Sequence, residues 1–190
     1  TFERMPTPAA VVAAYNDTNH EELPLGTFWQ FGKCGIHRPS LQGVRSVRFV
    51  NGSIWIANED KREREHGVLV VSEDGIVIHH ISSVRKPIYI AYEPEEAPWV
   101  FVGVKQTGLK KHAGGVYAFD PISYEMHKFY TSPMLKHPTG IGARDGKLYV
   151  ANQDLNSIHV FDLNTGEECD YLELNEVLKG DIEAIIISEH

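Results

Sequence analysis

Hydrophobic residues along this chain come in short runs rich in valine, isoleucine, tyrosine and phenylalanine, cut by turn residues. Such runs read as strands, because branched and aromatic side chains suit a pleated, half-buried surface. The runs recur. Val44-Arg45-Ser46-Val47-Arg48-Phe49-Val50 leads through Asn51-Gly52 into Ser53-Ile54-Trp55-Ile56-Ala57-Asn58. Pro138 to Arg144 leads through Asp145-Gly146 into Lys147 to Asn152 in the same way. Asn-Gly and Asp-Gly are the pairs a two-residue hairpin favours, since both positions take positive φ. Between these units, Pro87 to Pro94 and Pro98 to Gly103 supply another strand pair. The spacing gives a repeat of about 47 residues.

Each front half is followed by a second strand pair. Gly67 to Val71 pairs with Ile76 to Ile81, Gly115 to Phe119 with Tyr124 to Tyr130, and Ser157 to Phe161 with Cys169 to Leu174. Four antiparallel strands per repeat make a β-propeller blade. The fold class is therefore all-β, a propeller of about four blades, with residues 1–190 forming one domain or a propeller segment. At the N-terminus, Ala9 to Tyr15 predicts a second strand and Gly26 to Phe31 a third. At the C-terminus, Asp181 to Ile187 predicts a first strand. The two ends are complementary, so a composite blade would close a four-bladed ring and remove its free edges. Two other arrangements satisfy the same pattern: an eight-bladed ring of two chains, and a stretch of a larger single ring.

Composition narrows the partners. The formal charge is -8 and the sequence pI about 5.6. That argues against nucleic acid or an anionic membrane bound over the whole surface. No apolar run approaches the roughly 18 residues of a membrane span. Cys34 and Cys169 are the only cysteines, which rules out a zinc-type CxxC pattern and leaves free thiols or a single disulfide open. The chain starts at Thr1, and its compartment is open.

Pro138-Thr139-Gly140-Ile141, Asp145-Gly146-Lys147-Leu148-Tyr149-Val150-Ala151-Asn152, Ser157-Ile158-His159-Val160-Phe161-Asp162 and Thr165-Gly166 together resemble an NHL-type or YVTN-type propeller repeat. No WD dipeptide pattern is present, which disfavours the WD40 class. The resemblance implies a propeller fold and a choice among protein-binding, RNA-binding and enzymatic roles, since function lies in the site and not the fold.

Candidate sites follow from blade geometry. Second strands should end, and blades begin, on one face around the channel mouth. Asn16, Asn58, Asn152 and Glu183 would bring oxygen donors from separate blades to that face, the donor type a hard cation such as calcium takes. This is similar in kind to the gluconolactonase-like propellers, a resemblance that implies a metal-dependent hydrolase or lyase. Asn and Asp at strand ends also serve simply to make turns. His137, at a blade entrance, is the acid-base candidate. The loops from Glu59 to His66 and Lys105 to Gly114 are longer than their counterpart at 153–156. Their cations Arg62, Arg64, Lys105, Lys110, Lys111 and His112, with Arg85 at a blade entrance, form the candidate binding set. Long loops on a rigid scaffold favour binding. The expected function is thus a binding propeller for a protein partner or small anionic ligand. The alternatives are the metal-dependent enzyme and a structural subunit, with homodimerisation consistent with the eight-bladed arrangement. No fingerprint of a known hydrolase, phosphate-binding loop or dinucleotide fold occurs.

Overall fold

The computed structural model describes residues 41, 43–59, 66–73, 75–106, 113–174, 182 and 185. They form three four-stranded antiparallel sheets, each made of consecutive strands in chain order. The first holds β1 (Val44–Val50), β2 (Ser53–Asn58), β3 (Gly67–Ser72) and β4 (Val77–Ile81). The second holds β5 (Pro87–Tyr92), β6 (Val100–Val104), β7 (Gly115–Phe119) and β8 (Met126–Tyr130). The third holds β9 (Pro138–Arg144), β10 (Lys147–Asn152), β11 (Ser157–Asp162) and β12 (Glu168–Glu173). These are propeller blades, and three of them amount to a partial propeller. The composite fourth blade expected from the two termini lies outside the described residues.

Local chemistry explains the hairpins. Asn51 and Gly52 take φ of 44° and 76°, and Asp145 and Gly146 take 49° and 73°. Both pairs thus adopt the left-handed conformations that favour these residues in tight hairpin turns. The β7–β8 and β11–β12 turns are closed by aspartates. Asp120 Oδ1 accepts the backbone N–H groups of Ser123 at 2.7 Å and Ile122 at 2.8 Å. Asp162 Oδ1 accepts those of Thr165 at 2.8 Å and Asn164 at 2.9 Å. These N–H donors hold both carboxyl groups below the usual aspartate range, Ser123 contributing most at Asp120 and Thr165 at Asp162. At β3, Gly67 is required outright. Its φ is 139°, and a Cβ there would lie 2.5 Å from the Ile81 carbonyl oxygen.

The inner strands read as continuous apolar runs because both faces are covered. On β6, Val100, Val102 and Val104 face blade one, while Phe101 faces blade three. Side-chain alternation along a strand makes this division. The first interface joins Trp55, Val68 and Val70 to Ile90, Val102 and Phe119. The second joins Phe101, Val116 and Tyr130 to Ile141, Leu148 and Phe161. Leu41, Ile54, Ile56, Leu69 and Val71 form a further cluster on the face of blade one turned away from blade two. The neighbouring histidines of β4 divide in the same manner. His79 stacks on Tyr124 of blade two at 4.6 Å, and His80 Nε2 contacts the His66 carbonyl at 3.2 Å.

Trp55 packs between blades, as expected of the tryptophans. Trp99 differs: it lies just before β6 and stacks on His127 of its own blade, with centroids 4.0 Å apart. Trp29 lies outside the described residues. Cys169 is exposed on β12, and Cys34 is outside the described residues.

At the second interface, the Tyr130 hydroxyl donates to the Leu163 carbonyl at 3.1 Å. Lys128 Nζ donates to the same carbonyl at 3.3 Å and to that of Asn164. Burial first, and the Asp162 charge second, push the Tyr130 pKa from 10 up to about 12. The folded state therefore holds this proton more tightly than the unfolded chain. The resulting stability is intact below pH 10 and is lost as pH rises towards 12. Urea denaturation of the wild type should weaken across that window more steeply than that of Tyr130→Phe. Parallel pH dependence in the two proteins would refute the assignment.

Candidate functional site

The blades share one backbone device where the first strand starts and the second ends. Glu59 N donates to Gly43 O at 2.7 Å, Lys105 N to Lys86 O at 3.1 Å, and Gln153 N to His137 O at 2.9 Å. This fixes an entry end in every blade. The tight hairpins and aspartate turns lie at the opposite, turn end.

At the entry end, the junction of blades two and three brings charged side chains together. His137 precedes β9, and its backbone is held on both sides. Its N–H donates to Asn152 Oδ1 at 3.1 Å, and its carbonyl accepts from Gln153. The imidazole stands between blades. Its Nδ1 is 3.3 Å from Lys105 Nζ and 3.1 Å from Asp154 Oδ1. The His137 side chain is 12% exposed and that of Asp154 43%. Asp154 sits on a single 3-10 turn, Gln153–Leu155, where the sequence suggested only a short loop. A further bond, Gln106 N to Lys136 O at 2.8 Å, ties the stretch after β6 to the entrance of blade three. In blade one the counterpart is an ion pair, Arg45 to Glu59 at 2.8 Å.

The structure brings Lys105, of the expected binding set, into contact with His137, the acid-base candidate. It places exposed Arg85 in the β4–β5 connection beside Lys86, whose carbonyl receives the Lys105 N–H. Arg62, Arg64, Lys110, Lys111 and His112 lie outside the described residues. Asp154 was not among the site residues expected from the sequence. Its pairing with His137 has no local signal, because the two are joined by topology across a hairpin.

The expected cation donors divide similarly. Asn16 and Glu183 lie outside the described residues. Asn58 is fully buried, and its Oδ1 accepts the Gly43 N–H at 3.1 Å. Asn152 is also fully buried. Its Oδ1 accepts two backbone N–H groups, from His137 and, at 3.3 Å, from Lys136. An amide oxygen has two lone pairs, so both are in use. Among the described residues no group of three or more His, Cys, Asp or Glu side chains is placed to hold a metal ion. The donors described here therefore do not fit a calcium site as they stand.

A buried network adjoins Asn152. Its Nδ2 donates to Met134 O at 3.0 Å and approaches His159 Nε2 at 3.2 Å. Ser157 Oγ lies 3.3 Å from the same nitrogen, and His159 Nδ1 is 2.5 Å from Glu168 Oε1. With the Nδ1 proton directed to Glu168, the single Nε2 lone pair is left to accept from the Ser157 hydroxyl, which in turn accepts from Asn152 Nδ2 at 3.4 Å. The Ser–His–Glu order copies that of a hydrolase triad. Ser157 and His159 are wholly buried, however, so no substrate reaches the hydroxyl. The network is a structural peg. Its signal was present in sequence: Ser157 and His159 share a face of β11, and Ser157 pairs with Asn152 across the hairpin.

No protein-family model and no curated protein sequence matches the chain. Solved structures do match. RRP9 WD40 repeats align over 75% of this chain with a TM-score of 0.57 and 12% identity. Kuenenia stuttgartiensis hydrazine synthase aligns over 80% with a TM-score of 0.60 and 18% identity. The computationally designed Ika8 protein aligns over 77% with a TM-score of 0.53 and 12% identity. At these identities the likeness is one of fold, and it holds for WD40 propellers although this chain lacks the WD dipeptide pattern. The chain spans about 40% of the length of these neighbours, 41% of the first two and 40% of the third.

Proposed function

We propose that this chain is a binding propeller whose entry end meets a protein partner at the junction of blades two and three. The observation that carries the reading is the Lys105–His137–Asp154 group, built from two blades and open to solvent at its edge. Two further features support it. Of the triad-like residues, Ser157 and His159 are wholly buried and serve the core. WD40 proteins, which are among its fold neighbours, commonly mediate protein interaction. The NHL-type subtype remains part of this proposal, since it rests on the repeat string alone.

Site-specific photocrosslinking tests the reading. A photoreactive residue is placed at 85, 106 or 154 on the entry end, and at 95, 145 or 164 on the turn end. Adducts with one common protein are expected from the entry end in extracts of the cells that make this protein, and Lys105→Glu should remove them. Equal labelling from both ends, or labelling indifferent to Lys105→Glu, would defeat the proposal.

A further inference from the structure

Among the described residues, the two ends of the blades differ in charge far more than the overall value suggests. Arg85, Lys86, Lys105 and Lys136 gather where blades two and three begin. The turn end carries Glu93, Glu95, Glu96, Asp145, Asp162 and Glu167, against the cations Lys128, Arg144 and Lys147. Some of those acids are structural: Glu93 Oε2 accepts the Ala143 N–H at 2.7 Å, and Glu96 Oε2 accepts the Asp145 N–H at 3.0 Å. In a chain of formal charge -8 the basic end is a local reversal. Long-range forces would repel an acidic partner from the turn end and draw it to the entry end.

From this polarity, and resting on the binding reading above, we infer that the partner presents an extended acidic peptide segment, which lies across the Lys86–Lys105–Lys136 rim. Two observations favour a peptide over a compact anion or a nucleic acid. The cations stand on three separate segments of the junction, tied to one another by backbone bonds from Lys105 to Lys86 and from Gln106 to Lys136. Asp154 sits among them and would repel a densely charged phosphate or phosphodiester. Carboxylates spaced along a chain can instead meet single cations and step past Asp154. His137 acts as a positioning residue. Its Nδ1 lies 3.3 Å from the Lys105 ammonium and 3.1 Å from the Asp154 carboxylate, and so holds the two at a fixed spacing.

The probe is a fluorescein-labelled oligoglutamate peptide, followed by anisotropy at two salt concentrations. Binding should weaken with salt, as screened surface charges do. Lys105→Met should weaken it about fivefold, the effect of one exposed charge contact, and Lys105→Glu more. His137→Ala should give a smaller loss that Lys105→Met abolishes, since it acts through Lys105. Glu95→Lys changes net charge at the turn end and should leave affinity within about twofold. Thermal melting of each variant separates loss of binding from loss of fold.

Several outcomes overturn the inference: no salt-sensitive binding, an equal effect of Glu95→Lys, full competition by inorganic phosphate at matched charge, or tighter binding of a single-stranded oligonucleotide. The binding reading fails separately. Entry-end crosslinks to a partner without an acidic segment would leave that reading standing and remove this one.

Discussion

Replacing Asn152 by alanine is expected to cost the fold about 3 kcal/mol or more, because unpairing buried polar groups costs about 1–3 kcal/mol each. The side chain accepts from two backbone N–H groups at the blade entrance and donates to the Met134 carbonyl and the Ser157 hydroxyl. Alanine strands all of them in a fully buried site. Asn152→Asp is the sharper test. It keeps an acceptor for Lys136 and His137 but turns the donor into an oxygen that faces the Met134 carbonyl. It should therefore be about as damaging as alanine, in urea melts with or without calcium. Calcium-dependent recovery of Asn152→Asp would show that this position ligates a cation and would reverse the structural assignment. A double-mutant cycle with His159→Ala should show strong coupling, since the two residues serve one network.

Much of the fold was legible because its determinants are local. Asn51-Gly52 and Asp145-Gly146 declare hairpins through the positive φ both positions need. The runs at β2, β6 and β10 declare strands buried on both faces. Blade two was harder to read. Its first two strands are joined by residues 93–99 with no turn pair, and β6 ends in Val104 where β2 and β10 end in asparagine. The hydrogen bonds of Glu93 and Glu96 to blade three stabilise that connection, and only the folded structure reveals them.

The site was less legible for the same reason. Lys105, His137 and Asp154 could each be assigned to the entry end from blade arithmetic. That they meet depends on how two blades pack, which no spacing within one repeat encodes. Asn58 and Asn152 illustrate the converse. Their repeat position made them look like axial ligands, while their bonds show that the repeat uses them to fasten the first strand to the second.

Trp55 carries the second large prediction. Its ring is fully buried between blades one and two, 6.5 Å from Phe119 and 5.9 Å from Tyr124 between centroids. Trp55→Ala should cost about 3–5 kcal/mol, the usual loss for a large aromatic in a packed core. Trp55→Phe should cost much less than volume alone implies. The Trp55 Nε1 is buried without a hydrogen-bond partner, so the native state already bears the desolvation cost of that N–H. Phenylalanine removes that cost while keeping most of the ring contacts. Equilibrium urea denaturation of the three proteins separates the terms. If Trp55→Phe proved nearly as destabilising as Trp55→Ala, the indole nitrogen would have to be satisfied in solution, and the interface would be held by a polar contact as well as by packing. A small loss for phenylalanine beside a large one for alanine would show that packing between the blades, and not any polar bond of the indole, holds this half of the arc together.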